Sequence, residues 1–331
     1  MPQLTILGAT GNQGRGLLRA LHANKHHHPD LTIHAITRNP ASESAQSLLS
    51  DFPELRIRLV PGDVYRAETL RDGFRDADAL FAMTHNRLPG RLIETEDEMR
   101  HELVAGRNIV DVAREFHIPH VILSSLPNLS RCSQGRFTKV FHFDHKNQIE
   151  EWARQELPAV TVLYPGLYYS NLSTPQYCRR TEDNIVRFCA PCPPSKPADW
   201  VDPAWDIGVY AAKIFHLGPH KTASKIYPVV APKITFADMA RTFSAVTGQR
   251  AVFEPISLDE WGQIVARAAG RGYERDIRQM MEWIVVAPQE KVCYGTMDEA
   301  EDLSGVDLGV RASTFEEWLV RSGWQGPPSQ G

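Results

Sequence analysis

Read as apolar and polar positions, the first half of the chain alternates short apolar runs with longer stretches of helical spacing. The runs fall at Leu4–Leu7, Thr32–Thr37, Ile57–Val60, Ala79–Met83, His120–Ser124 and Val160–Tyr164, and each reads as a strand. Of the helical stretches between them, Thr95–Phe116 is the clearest. Met99, Leu103, Ile109, Val110 and Ala113 keep approximate helical spacing, and His117-Ile118-Pro119 stops the helix. Strand and helix in alternation predict a doubly wound parallel sheet covered by helices. After Pro165 the alternation weakens and prolines become denser. The expected division is an α/β domain over residues 1–165 and a smaller α+β lobe over 166–331, with some of the later chain returning to the first domain.

Composition narrows the classes of function. The 331 residues are 42% hydrophobic and carry a formal net charge of -4, so the chain can bury a sizeable core but presents no basic field for nucleic acid or an anionic membrane. No segment approaches the roughly 20 apolar residues of a membrane span. Gly8–Gly16 interrupts the N-terminus where a signal peptide would need its apolar stretch, so the expected compartment is the cytoplasm. The five cysteines, Cys132, Cys178, Cys189, Cys192 and Cys293, are an odd count in a chain too large to need staples, and free thiols are expected. Cys189-Ala-Pro-Cys192 has the spacing of a redox or zinc half-site, yet no second pair accompanies it and prolines crowd it. It reads as a plain loop, and no metal is expected there. Lys25-His26-His27-His28-Pro29 reads as a solvated connection for the same reason: one short run does not supply a metal's geometry.

The chemistry begins at "LTILGATGNQGRG", Leu4–Gly16, an apolar strand that runs into Gly8, Gly11 and Gly14 and then into a helix. Glycine permits the tight turn and lets backbone approach a pyrophosphate, and the free N–H groups and dipole of the helix N-terminus favour an anion. A glycine triplet alone is weak. Its place after a strand, before a helix and at the head of an alternating α/β pattern predicts a dinucleotide site. Gly8, Thr10, Gly11, Asn12, Gln13 and Gly14 are its expected contacts. At the end of the second strand, where an NAD enzyme usually places Asp or Glu against the ribose 2′-hydroxyl, this chain has Thr37-Arg38-Asn39. The Arg38 guanidinium can take a 2′-phosphate bidentately, so the expected cofactor is NADP(H).

Several further stretches carry a family resemblance over nearly the whole chain. "GATGNQG", "ITRNP", Gly62-Asp63, "NIVDVAREFHIPHVILSSL", "HFDHKNQIEEW", "YPGLYYSNL" and "VDPAWDIGVYAAKIF" occur in order, and together the sequence resembles the NmrA-like branch of the atypical short-chain dehydrogenase/reductase superfamily. The resemblance implies a Rossmann domain holding NADP(H) across its strand ends, with a C-terminal lobe closing over the nicotinamide. It also implies that Gly62 and Asp63 approach the adenine, Thr84 the ribose region, Lys146 the nicotinamide ribose, and Tyr164, Pro165, Gly166 and Leu167 the nicotinamide face.

Redox members of the superfamily commonly use a Tyr proton donor four residues before a Lys, with a Ser at the preceding strand end. The spacing stacks the two side chains one helical turn apart, so the ammonium can lower the phenol pKa. Here Ser124 or Ser125 stands for the serine and Lys146 for the lysine, but His142 occupies the tyrosine position. Two readings follow. In the first the protein is a reductase of a C=O or C=N bond in a small organic substrate, with His142, Lys146, Tyr168 or Tyr169 as donor, since an imidazole titrates near neutrality. In the second it binds NADP(H) without turnover and reports redox state to a protein partner. A third keeps the cofactor as scaffold for a cyclisation or rearrangement.

The remaining signals lie in the C-terminal half. In "RDIRQMMEWIV", Arg275–Val285, residues Ile277, Met280, Met281 and Ile284 share a stripe with Trp283 off it, a pattern that reads first as core. Trp200, Trp205, Tyr168, Tyr169, Met280 and Trp283 would form an apolar wall suited to a hydrophobic or heteroaromatic substrate if some of them faced the nicotinamide. Asp202 and Asp206 read as caps that pin the lobe junction. "TFEEWLVRSGW" reads as a helix capped by Thr314.

Overall fold

The computed structural model describes residues 2–328. Seven strands form one parallel sheet. In chain order the first six are β1 (Gln3–Leu7), β2 (Thr32–Thr37), β3 (Arg56–Pro61), β4 (Ala79–Met83), β5 (His120–Ser124) and β6 (Val160–Pro165). All six predicted strands are present, within a residue or two at their ends. The seventh, Ile226–Val229, was not foreseen. It lies beside β6 in parallel register, Ile226 against Val162, so the sheet order is Ile226–Val229, β6, β5, β4, β1, β2, β3.

The helices that link these strands are α1 (Asn12–Ala23), α2 (Glu43–Asp51), the single turn α3 (Arg71–Phe74), α4 (His101–Glu115), the single turn α5 (Leu129–Cys132) and α6 (Phe141–Glu156). The helix expected over Thr95–Phe116 is shorter at its start. Asp97–Arg100 is a 3-10 turn, with the Glu98 carboxylate accepting the Glu94 and Thr95 N–H groups, and α4 proper begins at His101. A run of polar residues offering side-chain acceptors to its own backbone competes with the helix there.

The period-two alternation of side chains divides each strand between two cores. Leu4, Ile6, Ile33, Phe81 and Ile122 face α1 and a seventh helix, α7 (Asp206–Leu217). Leu7, Ile36, Leu80, Ala82 and Leu123 face the other side, where Ile109, Val110, Phe143 and Ile149 of α4 and α6 cover them. Helices α1 and α7 touch backbone to backbone, since a Cβ on Gly208 would lie 2.0 Å from the Gly16 carbonyl carbon. Later chain thus supplies both a strand and a covering helix to the first sheet. Beyond it, Cys178–Arg180, Val186–Ala190 and Ala251–Pro255 form a three-stranded sheet, and Leu167–Tyr168 pairs with Trp200–Val201. Among the described residues no helix is long and apolar enough to cross a membrane.

Asp202 and Asp206 are both engaged structurally. Asp206 accepts the Asp202 N–H at 3.0 Å and the Ser313 hydroxyl at 2.6 Å, while Asp202 pairs with Arg321 at 2.6 Å. The C-terminal helix Phe315–Ser322 is capped by Thr314 and Glu317 reciprocally.

Of the expected aromatic wall, Tyr168 meets the glycine loop through Gln13, while four of its other members lie elsewhere. Trp200 and Tyr169 are fully buried and stacked at 5.8 Å, Met280 is core, and Trp205 lies on an outer face between Arg19 and Arg321. Trp283 is buried with the stripe it was expected to leave, its indole N–H donating to the Tyr294 carbonyl at 2.8 Å. A polar handle satisfied inside the core lets the ring follow its apolar area. Cys189 lies at the end of a strand and Cys192 just beyond it. Both are buried, and burial pushes each thiol up to about 11.

Candidate functional site

In a doubly wound sheet, ligands bind outside the carboxyl ends of the strands where the strand order reverses, here between β1 and β4. The glycine loop leaves β1, Arg38 follows β2, Gly62-Asp63 follows β3, Thr84 follows β4, Ser125 follows β5, and Pro165–Leu167 closes β6. The predicted positions, scattered in sequence, are gathered along one edge of the sheet.

The loop is shaped by its glycines in different ways. Gly8 has φ 69°, which favours glycine, and its carbonyl accepts the Gly11 N–H at 2.9 Å. A Cβ on Gly14 would lie 2.4 Å from the Gly8 oxygen and 2.5 Å from the Ala9 Cα, so this position is closed by α1 packing against the end of β1. At Gly11 a Cβ would meet only the Gly8 oxygen, at 3.3 Å, and φ is an ordinary -85°. Gly11 thus caps α1 without a side chain, and the first turn carries no acidic residue. Buried Gln13 donates through Nε2 to the Tyr168 hydroxyl at 2.7 Å, while its Oε1 has no partner among the described residues. Burial pushes the Tyr168 phenol up to about 12, against the Gln13 hydrogen bond. Free N–H groups, a small residue at the cap and an orphaned amide oxygen fit a pyrophosphate with ribose hydroxyls beside it.

Arg38 is exposed and makes no ion pair with any described residue. Gly62 is buried, and a Cβ there would meet Ile36 Cγ2 at 2.7 Å. Asp63 is held by its own turn, accepting the Tyr65 N–H at 3.0 Å and donating its N–H to Thr69 Oγ1 at 2.8 Å.

At the end of β4, Lys146 donates to the Thr84 carbonyl at 3.2 Å and to Thr84 Oγ1 at 3.3 Å, and forms an ion pair with Glu102. Thr84 in turn donates to Glu102 Oε1 at 2.6 Å. Glu102 is 1% exposed. Burial works against its ionisation, but the Lys146 charge and the two hydrogen bonds outweigh it and hold the carboxyl below its usual range. Sequence reading missed Glu102. A lone acid in the first turn of an amphipathic helix gave no signal.

Ser125 is not free to act on a substrate in this arrangement, because its hydroxyl donates to the Lys146 carbonyl at 3.1 Å. The carboxylate facing His142 is Asp276, from the Glu274–Val286 helix. It accepts the His142 N–H at 3.0 Å and lies 2.5 Å from Nδ1. Asp144, the carboxylate nearest in sequence, instead accepts the Leu129 and Ser130 N–H groups at the start of α5. Tyr164 is buried, and its phenol donates to Glu150 at 2.8 Å, so its side chain turns under α6. Pro165 and Leu167 are buried too, and Gly166 abuts the Asp199 carbonyl, where a Cβ would lie at 2.8 Å. The Tyr164–Leu167 stretch therefore offers backbone, not side chains, to the strand ends. A separate groove of about 290 Å³ lies on the far side of α1, lined among others by His27, His28, Trp205 and His216.

Fold and site together define a Rossmann-type α/β protein whose glycine loop lies at the switch point of its parallel sheet. The chain belongs to the NmrA-like family, which it matches over residues 2–319. It is 25% identical to the NmrA-like family domain-containing oxidoreductase malD of Malbranchea aurantiaca, over 97% of this chain and 96% of that protein. Among solved structures, NmrA, a negative transcriptional regulator in complex with NADP, superposes with a TM-score of 0.70 at 20% identity, over 98% of this chain and 92% of that one. The triphenylmethane reductase of Citrobacter sp., complexed with NADP(H), gives 0.68 at 18% identity over 97% and 99%.

Proposed function

We propose that the protein is an NADP(H)-dependent reductase of a C=O or C=N bond in a small hydrophobic or heteroaromatic organic substrate. The observation that carries this reading is that the glycine loop, Arg38 and Thr84 follow neighbouring strand ends around the switch point, with Lys146 bonded to Thr84. The oxidoreductase and NADP(H)-bound relatives support it. When bound, the cofactor supplies hydride to the carbon of the substrate double bond. The chain's own part is to seat the pyrophosphate on the first turn of α1 and the 2′-phosphate on Arg38. Lys146, held by Glu102 and Thr84, would present its ammonium to the nicotinamide ribose. The lobe after residue 165 would shield the reacting face from water.

The second reading, a cofactor-binding regulator acting through a protein partner, is favoured by the engaged state of Ser125 and by the burial of Trp200 and Tyr169 in the core. The test is to incubate the protein with NADPH and a panel of ketones and cyclic imines and follow absorbance at the nicotinamide band. Substrate-dependent NADPH oxidation supports the reductase. NADPH binding with no turnover across the panel favours the regulator.

A further inference from the structure

We propose that Asp276 positions His142 as the proton donor of the reduction, a pair assembled across the two halves of the chain in place of the absent tyrosine. The proposal rests on the reductase reading above.

Asp276 is fully buried on the Glu274–Val286 helix, and among the described residues it has no Lys or Arg partner. A buried carboxylate so placed must be satisfied by hydrogen bonds. Both of its oxygens are spent on one residue: Oδ1 on the His142 N–H at 3.0 Å and Oδ2 on Nδ1 at 2.5 Å. Backbone and ring of His142 are thereby fixed together at the start of α6. The arrangement places the Nδ1 proton towards Asp276 and leaves Nε2 as the nitrogen that can exchange a proton. Nε2 has no partner among the described residues, and the His142 side chain keeps 12% of its exposure, so the ring edge is not sealed. One turn along the same helix face stands Lys146, itself paired with Glu102. A carboxylate that orients an imidazole and stabilises its protonated form is the supporting part of a general acid.

In the step itself the substrate carbon gains the hydride and the cofactor is oxidised. The heteroatom keeps the displaced electron pair and takes its proton from Nε2 of His142. The neutral imidazole stays bonded to Asp276 through Nδ1–H and regains its proton from water at its exposed edge. A purely structural pin would need the hydrogen bonds but would be indifferent to which nitrogen carries the exchanging proton.

The test is Asp276→Asn, read in two ways. Imidazole 15N NMR of the protein without cofactor, with His142 assigned by its loss in His142→Gln, should show the Nδ1–H tautomer in the wild type and gain of Nε2–H in Asp276→Asn. With NADPH and a reducible member of the panel, kcat should fall about 100-fold, the scale of general acid catalysis, while NADPH affinity stays within about twofold. Should Asp276→Asn not fold, His142→Gln carries the kinetic arm, because it keeps the backbone N–H that Asp276 accepts. An unchanged tautomer in Asp276→Asn, or the Nε2–H form in the wild type, overturns the role of Asp276. An unchanged kcat in either folded variant overturns His142 as donor. Failure to oxidise NADPH with any member of the panel overturns the reductase reading and the donor role with it, while the tautomer result still stands or falls by itself.

Discussion

Gly11 and Gly14 are three residues apart in one loop, and the same substitution should act on them in opposite ways. In Gly14→Ala the new methyl would lie 2.4 Å from the Gly8 oxygen and 2.5 Å from the Ala9 Cα. Comfortable contacts between carbon atoms are about 3.5–4.0 Å, so α1 must move from β1 by about 1 Å. Overpacking of this kind costs about 1–3 kcal/mol, and the melting temperature should drop by several degrees. In Gly11→Ala the nearest atom is the Gly8 oxygen at 3.3 Å, and the backbone conformation suits any residue. The loss there is that of a poorer helix cap, from a few tenths to about 1 kcal/mol. Yet the Gly11 methyl enters the space where a pyrophosphate would meet the first turn of α1, so NADPH affinity should fall tenfold or more, about 1.4 kcal/mol. Differential scanning calorimetry and isothermal titration on both variants separate the two roles. A Gly11→Ala protein that binds NADPH as the wild type does would refute the placing of the pyrophosphate. A Gly14→Ala protein as stable as the wild type would refute the close packing of α1.

Three further outcomes follow from buried titratable groups. Glu102→Gln removes the carboxylate from Lys146, which keeps only 14% of its side-chain exposure, and should cost about 3 kcal/mol in chemical denaturation at neutral pH. Because the Glu102 carboxyl is held low, its contribution is present above the ordinary carboxylate range and is lost as pH falls through the folded value, so the variant and wild type should converge in acid. Burial depresses His120 to about 4 from 6.5, so the native state keeps it neutral where the unfolded chain takes up a proton. Stability from this group, about 3 kcal/mol, is full above pH 6.5 and is lost as pH falls towards 4. Denaturation curves of His120→Asn should show a shallower slope across that window, and an unchanged slope would contradict the burial. His34, His101 and His145 are depressed by burial in the same direction and should keep part of the slope.

The sheet was legible because its inner strands are apolar on both faces, and the loops at its carboxyl end because the glycine loop, Arg38, Gly62 and Thr84 each follow a strand. The seventh strand was not legible, since Ile226–Val229 is only four residues long, carries Pro228 in its middle and is reached only through long-range pairing with β6. The partners of the site residues were equally hidden. Lys146 meets Glu102 across 44 positions and His142 meets Asp276 across 134, distances at which spacing in the chain says nothing. Aromatic residues misled for another reason. Trp200, Tyr169 and Trp283 have the composition of a ligand pocket, but their large areas are spent on the core.

The central claim is that the strand ends hold NADP(H) and that Arg38 reads its 2′-phosphate. Isothermal titration of the wild type and Arg38→Ala with NADPH and NADH tests it directly. A hydrogen bond to a charged group is worth about 1.5–3 kcal/mol, so Arg38→Ala should weaken NADPH binding about 10- to 150-fold and leave NADH nearly unchanged. Equal losses for both cofactors, or tighter binding of NADH than NADPH by the wild type, would contradict it.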